Sequence, residues 1–162
     1  MKDSPHFYFS VFKTAAGKFS LAVNSQGAVV ATAFGGRESL ESRLKGGVLR
    51  SDSRKTADAR AQVVAWFKGK RRDFSIALSP SGSTFQKKVW AALEKIPFGS
   101  TRSYGDVARA VGSAPRAVGR ANATNPICLI VPCHRVIGAD GSLTGFAFGE
   151  GVKRRLLAFE AA

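Results

Sequence analysis

The most reactive side chain in this sequence is a thiol in the string Pro132-Cys133-His134-Arg135-Val136. A thiol attacks as thiolate, and its ordinary pKa of about 8.5 means that it needs a base or a positive neighbour. His134 is adjacent, and histidine is the usual base for cysteine. A base of this kind works best when an acid orients it, and Glu160, in Leu156-Leu157-Ala158-Phe159-Glu160, is the candidate. On spacing alone, an inert, buried cysteine beside a surface histidine is the commoner outcome. Only one other cysteine exists, Cys128. Two cysteines make no disulfide scaffold, and without CxxC or a His/Cys cluster there is no zinc site. No metal and no cofactor are expected.

These residues have to be positioned. Asn125-Pro126 stops a helix, and Ile127–Val131 reads as a short buried strand from which Pro-Cys-His emerges. Neighbours on a strand point to opposite faces, so Cys133 would reach His134 through a water or a local turn. Upstream, Ser83 can cap a helix over Thr84–Lys95 with Phe85, Val89, Ala92, Leu93 and Ile96 on one face. Ser103 and Asp106 resemble a capping box opening a helix to Val111. Gly112-Ser113 turns the chain, and Pro115 suits the first turn of a helix over Arg116–Thr124.

Two short helices around a glycine turn, preceded by a third, form a helix-turn-helix pattern. The second helix is unusual for one that reads bases. Arg116-Ala117-Val118-Gly119-Arg120-Ala121-Asn122-Ala123-Thr124 is mostly small residues, whereas major-groove readers need long side chains. A smooth helix suits close approach to the minor groove; the small residues could equally serve to pack against a neighbouring helix.

The first third differs in pattern. His6–Thr14, Lys18–Asn24 and Gly27–Phe34 read as strands of an antiparallel meander joined by short connections. Arg37–Lys45 reads as a short helix, Gly46–Lys55 as a loop, Thr56–Lys68 as a helix stopped at Gly69, and Asp73–Leu78 as a strand. Ser79-Pro80-Ser81-Gly82-Ser83 is a run of turn residues. The division is therefore 1–78, a linker 79–83, and 84–162.

The chain has 162 residues, 25 Lys+Arg against 11 Asp+Glu, and a net charge of +14. Residues 1–80 carry +8 and residues 81–162 carry +6, so the charge coats folded surface rather than a terminal arm. A polyanion, most commonly nucleic acid, is the natural partner for such a surface. At 44% hydrophobic residues the chain is too apolar for a disordered tail. There is no run of about 18 apolar residues for a membrane span. Met1-Lys2-Asp3-Ser4-Pro5 lacks the apolar centre of an export signal. No membrane partner is expected, and the expected location is cytoplasmic, or nuclear in a eukaryote.

The string 132–136, followed by Gly141-Ser142-Leu143-Thr144-Gly145, resembles the signature of the O6-alkylguanine-DNA alkyltransferases. The likeness covers about residues 10–160. It includes Phe85-Gln86, Val89-Trp90, Ile96–Gly99, Ser103-Tyr104, Arg116–Gly119, Asn125-Pro126 and Leu156–Glu160. The resemblance implies an α+β protein: an RNase H-like α/β domain followed by a winged helix-turn-helix domain. It also implies a reaction in which duplex DNA is held from the minor groove and O6-alkylguanine, with O4-alkylthymine as a second substrate, is flipped into a pocket.

In that reading Cys133 takes the alkyl group. His134 receives the thiol proton through a water, and Glu160 orients His134. Tyr104 helps the flip and protonates the leaving guanine. Arg116 fills the vacated place in the duplex, and Ala117, Gly119 and Arg120 lie against the DNA. Asn125 braces the turn. Val136, Phe146, Ala147 and Phe148 line the base pocket, with Cys128 at its rim and taking no part in the chemistry. The resemblance implies a monomer that reacts once, because nothing regenerates a thioether.

This chain departs from the family pattern in places. The turn before Arg116 is short, Phe146 stands where tyrosine is common, and Arg155 where tryptophan is usual. Phe148 stands where glycine is common, adding bulk beside the pocket. Damage sensors of the same fold lack the cysteine, so Cys133 argues against a sensor. A sequence-specific helix-turn-helix regulator fits poorly with an Ala/Gly-rich helix and no dimerising heptad. A thiol hydrolase would need an oxyanion hole that the sequence does not reveal.

Overall fold

A computed structural model describes residues 4–162; the first three residues, part of the expected leaderless start, lie outside the described part. The chain divides into two units, Met1–Ser81 and Gly82–Ala162.

The first unit is built on a meander of β1 (His6–Thr14), β2 (Gly17–Val23) and β3 (Val29–Phe34). Adjacent strands pair antiparallel, with Phe12 opposite Phe19 and Phe19 opposite Phe34. The β1–β2 turn closes on Gly17, whose φ of +94° suits a residue without a Cβ. Phe19 is wholly buried and packs edge-on against Phe34 at 5.1 Å between ring centroids. After α1 (Arg37–Glu41), the chain returns as β4 (Val48–Ser51), parallel to β1, giving the order β3-β2-β1-β4. The helix α2 (Ala57–Phe67) buries Val63 and Trp66.

Three expectations need correction here. Part of the expected loop 46–55 is strand β4: positive-φ Gly46 and Gly47 end the preceding turn, and the backbone of 48–51 finds partners on β1. The helix from Arg37 ends at Glu41 rather than Lys45. The expected strand Asp73–Leu78 is an extended segment touching β3 by a single bridge, Leu78 to Val29. Its earlier part is held by side chains instead: the Gln62 amide accepts from Ser75 N at 2.9 Å, and Arg71 Nε donates to Asp73 O at 2.7 Å.

The second unit carries α3 (Thr84–Leu93), β5 (Arg102–Ser103), α4 (Tyr104–Val111), α5 (Pro115–Ala123), a 3-10 turn (Cys133–Arg135), β6 (Val136–Ile137) and α6 (Glu150–Ala161). Both α3 and α4 open with complete capping boxes. Ser83 Oγ accepts from Gln86 N while Gln86 Oε1 accepts from Ser83 N. Ser103 and Asp106 do the same at 3.0 and 2.9 Å. Gly112 ends α4 in the left-handed conformation at φ +70°, and Pro115 starts α5. The α4–turn–α5 pair is the expected helix-turn-helix. The strands β5 and β6 pair in parallel, Arg102 to Val136 and Ser103 to Ile137, which ties the start of α4 to the segment after Cys133.

Ile127–Val131 is not a strand. It is a buried series of turns in which Ile130 N donates to Cys128 O and Val131 N donates to Ile127 O. Leu129 sits at φ +72°, a conformation that a leucine adopts only when its surroundings hold it there. An apolar run is compatible with a strand or with any buried segment; here Ile127 alone makes a bridge and the rest of the run folds back on itself.

Candidate active site

Cys133 opens the 3-10 turn, and Cys133, His134 and Arg135 are all buried, His134 completely. Because the three residues lie on a tight helical turn, the strand rule that sends neighbours to opposite faces does not apply to Cys133 and His134. Two asparagines position the turn. Asn122, on the inner face of α5 with Val118 and Ala121, donates its amide to Cys133 O at 3.2 Å. Asn125 spans the preceding turn: its amide donates to Val131 O at 2.9 Å and its carbonyl accepts from Ile127 N at 3.0 Å. The helix-turn-helix and the cysteine are thus tied by side chains from the end of α5.

Behind the cysteine lies a buried ionic cluster. Glu160, 5% exposed near the end of α6, lies with Oε2 2.8 Å from His134 Nε2. Arg135 grips the same carboxylate through Nε at 2.9 Å and a terminal nitrogen at 2.7 Å, and its other terminal nitrogen donates to Ile96 O at 2.8 Å. Burial alone would raise the pKa of Glu160, but the hydrogen bonds from His134 and Arg135 outweigh it and hold the value down to about 2. An ionised carboxylate only accepts, so Nε2 of His134 is assigned the hydrogen and Nδ1 the lone pair. Burial lowers the pKa of His134, and the attraction of Glu160 only partly opposes this. The imidazole is therefore neutral near pH 7, oriented, and basic at Nδ1, which is the state a proton acceptor needs.

Lys153, wholly buried on α6, donates through Nζ to Val136 O and, at 3.4 Å, to Thr144 O. Burial lowers its pKa, while negative charge at Cys133 and Glu150 opposes that. Its two hydrogen bonds go to neutral carbonyls, which leaves its charge available to attract a thiolate.

Tyr104, the first residue of α4, donates its hydroxyl to Thr144 O at 2.9 Å. Burial and the charge of Cys133 raise its pKa, so the phenol keeps its proton. The hydroxyl lies so near Gly145 that a Cβ there would stand 2.6 Å from it.

The remaining expected residues lie as follows. Arg116 and Arg120 are exposed on α5, and Ala117 and Gly119 are half-buried. A Cβ on Gly119 would meet only the Tyr104 ring, at 4.0 Å. Val136 and Phe146 are buried, Ala147 is exposed, and half-buried Phe148 packs edge-on against Phe146 at 5.8 Å. Cys128 is buried. Sequence reasoning gave no role to Arg135, Lys153 or Asn122. The Val118, Ala121, Asn122 spacing marks Asn122 as inward-facing, which is a usable signal; nothing in the sequence pairs Arg135 or Lys153 with its partners.

Fold and site define an α+β protein in which a helix-turn-helix unit is built around a cysteine, a neutral histidine and a buried carboxylate. Residues 84–162 match the family described as 6-O-methylguanine DNA methyltransferase, DNA binding domain. A methylated-DNA–protein-cysteine methyltransferase of Methanosarcina acetivorans is 40% identical over 157 residues, covering 96% of this chain and 99% of that protein. The crystal structure of the Mycobacterium tuberculosis O6-methylguanine methyltransferase superposes with a TM-score of 0.83 at 37% identity, covering 96% of this chain and 93% of that one. The Mycobacterium tuberculosis OGT in complex with DNA does so at 0.83 and 38%, covering 96% and 92%. The chain belongs to the methylated-DNA–protein-cysteine methyltransferases.

Proposed function

We propose that this chain repairs duplex DNA by moving the alkyl group of O6-alkylguanine onto its own Cys133, once per molecule. It binds DNA, and its reaction is direct reversal of alkylation damage. The observation that carries the assignment of residues is the neutral His134, oriented by Glu160 and next in sequence to Cys133.

Each step follows from the chemistry. The thiol proton of Cys133 passes through a water to Nδ1 of His134, and Glu160 stabilises the imidazolium that results. Sulfur, a soft nucleophile, attacks the saturated carbon attached to O6. The new S–C bond takes the sulfur electron pair, and the C–O6 bond breaks with its pair on guanine. Tyr104 supplies a proton to that leaving base, giving up its bond to Thr144 O to do so. The product thioether is inert to a base and a water, because thiolate is a poor leaving group from saturated carbon, so the protein is consumed.

Exposed Arg116 and Arg120, with Ala117 and Gly119 between them, would meet the minor groove, Arg116 filling the place of the flipped nucleotide. Val136, Phe146, Ala147 and Phe148 would line the base pocket, with Cys128 at its rim, and O4-alkylthymine would be a second substrate. Asn125 and Asn122 would fix the cysteine backbone. The RNase H-like and winged helix-turn-helix names suit residues 1–78 and 84–162, with 79–83 as the linker, and the protein would act as a monomer in the cytoplasm, or in the nucleus of a eukaryote. Among the described residues no helix is long and apolar enough to cross a membrane.

The test is the intact mass of the protein after incubation with a duplex carrying O6-methylguanine. One added methyl is expected, located at Cys133 by peptide mapping, and none in Cys133→Ser. Repaired guanine in large excess over protein would exclude the single-use reaction, and no transfer would favour a sensor or regulator.

A further inference from the structure

One side chain beside the cysteine has polar capacity that holding the backbone does not use. Asn122 is 2% exposed on the inner face of α5, and its amide donates to Cys133 O at 3.2 Å. That bond fixes which end of the carboxamide is nitrogen, since an oxygen there would face a carbonyl. It uses one of the two amide hydrogens. The carboxamide oxygen, also buried, meets no donor of the protein, so the amide end holds the side chain in place.

The second hydrogen has a neighbour in Tyr104. Gly119 lies three positions before Asn122, on the same face of α5, and the Tyr104 ring lies 4.0 Å from where a Gly119 Cβ would stand. The Tyr104 hydroxyl donates to Thr144 O at 2.9 Å. The Asn122 side chain draws the pKa of this phenol down, against the upward push of burial and of Cys133. A neutral amide does this by donating to the phenolate form.

The proposed reaction produces that phenolate. When Tyr104 gives its proton to the departing guanine, the O–H electron pair stays on the tyrosine oxygen. Thr144 O, which had accepted the hydroxyl proton, then faces a negative charge and repels it. The charged groups facing Tyr104 are Cys133, from the 3-10 turn, and Lys153, from α6, with Nζ 5.9 Å from the ring centroid. By then Cys133 is a neutral thioether. Lys153 attracts the phenolate from a distance, its hydrogen bonds going to the carbonyls of Val136 and Thr144.

We propose that Asn122 is a positioning residue for the alkyl transfer: one amide hydrogen holds Cys133 O while the other steadies the tyrosinate that Tyr104 becomes. A single carboxamide then sets the nucleophile and the proton donor together. This role goes beyond bracing the cysteine backbone, and it requires Tyr104 to be the proton donor to guanine, as proposed above.

The test is a double-mutant cycle on the full chain, read as the single-turnover rate of methyl transfer from a duplex carrying O6-methylguanine at saturating protein. Asn122→Leu keeps the volume and removes the amide. It should slow transfer about tenfold, the scale of one hydrogen bond to a charged group, with little change in duplex affinity. In a Tyr104→Phe background the same substitution should cost less than about twofold more, because the group it serves is gone. Asn122→Ser, which also lacks the amide, repeats the cycle with a smaller side chain, and cooperative thermal unfolding establishes that each variant is folded. Ultraviolet titration reads the link directly. The phenol step that Tyr104→Phe removes, leaving that of Tyr8, should move to higher pH in Asn122→Leu. Equal slowing by Asn122→Leu in both backgrounds would overturn the proposal and assign Asn122 to the cysteine backbone alone. An unmoved phenol step, or undiminished transfer by folded Asn122→Leu, would overturn it as well. Undiminished transfer by Tyr104→Phe is a different failure: it removes Tyr104 as the proton donor, and this role of Asn122 with it.

Discussion

Glu160 is the residue on which most of the site depends. It neutralises Arg135 and orients His134 with one carboxylate, in surroundings that exclude water. Glu160→Gln keeps the shape and removes the charge, leaving Arg135 buried without compensation. A loss of about 3–5 kcal/mol is expected, measured by urea unfolding, with slower alkyl transfer in the remaining folded protein. The pH dependence follows from the same group. Its pKa falls from 4.5 in the unfolded chain to about 2 in the fold. Its contribution is therefore complete above pH 4.5 and disappears as pH falls toward 2. His134 acts in the same direction: kept neutral by burial, it disfavours the fold once pH drops below 6.5. Stability should rise from pH 2 to about 7, and Glu160→Gln should flatten the lower part of that curve. An unchanged curve would exclude the carboxylate as its source. Phe148 makes a second prediction at this scale. Its ring packs on Phe146 beside the proposed pocket, where the family commonly has glycine. Phe148→Gly should speed reaction with O6-benzylguanine much more than with O6-methylguanine; equal effects would place Phe148 outside the pocket.

At the scale of elements, the question is why α5 is so poor in side chains. Val118, Ala121 and Asn122 pack inward, and α3 grips the end of α5 through Trp90 Nε1, which donates to Ala121 O at 2.8 Å. Packing explains Ala121. It does not require Gly119, whose Cβ would make only an ordinary contact with Tyr104. In a helix interior glycine costs about 0.5–1 kcal/mol relative to alanine. Gly119→Ala should therefore raise the melting temperature while weakening duplex binding, because the added methyl keeps the helix from the groove floor. Unchanged duplex affinity would mean that the backbone makes no close approach there. The capping boxes of α3 and α4, the left-handed Gly112 and Pro115 could all be read in advance, since each depends on residues within a few positions. The reactive turn could not. The five apolar residues before it, Ile127–Val131, fit a strand, but only the folded chain shows that Ile127 alone makes a bridge and the rest turn back on themselves.

At the scale of the whole molecule, the +14 charge is the dominant fact. Duplex affinity should fall linearly on logarithmic axes as salt rises, with a slope of about −0.9 for each phosphate contacted. Duplexes of unrelated sequence should bind with similar affinity; a strong preference for one of them would contradict binding led by the backbone. The surplus is shared, with +8 in residues 1–80, so it is not confined to the helix-turn-helix unit. In the first unit the meander followed from strands joined by short turns. Strand β4 did not, because parallel pairing with β1 is a long-range choice that four polar-flanked residues do not announce.

The capping boxes, the glycine turn and proline start of the helix-turn-helix, the family resemblance, and Cys133, His134 and Glu160 as candidates could be read from the sequence alone, because those rest on short-range chemistry and on a five-residue string. The tertiary structure decided how the site is charged. Arg135 is 25 residues from Glu160, and Lys153 and Cys133 lie on different elements, so only packing makes each pair neighbours. It also decided which nitrogen of His134 is basic, since the tautomer is set by a carboxylate 26 residues away in the chain. Ionic contacts inside a protein depend on burial and on distances of a few ångströms, and neither is encoded in spacing along the chain.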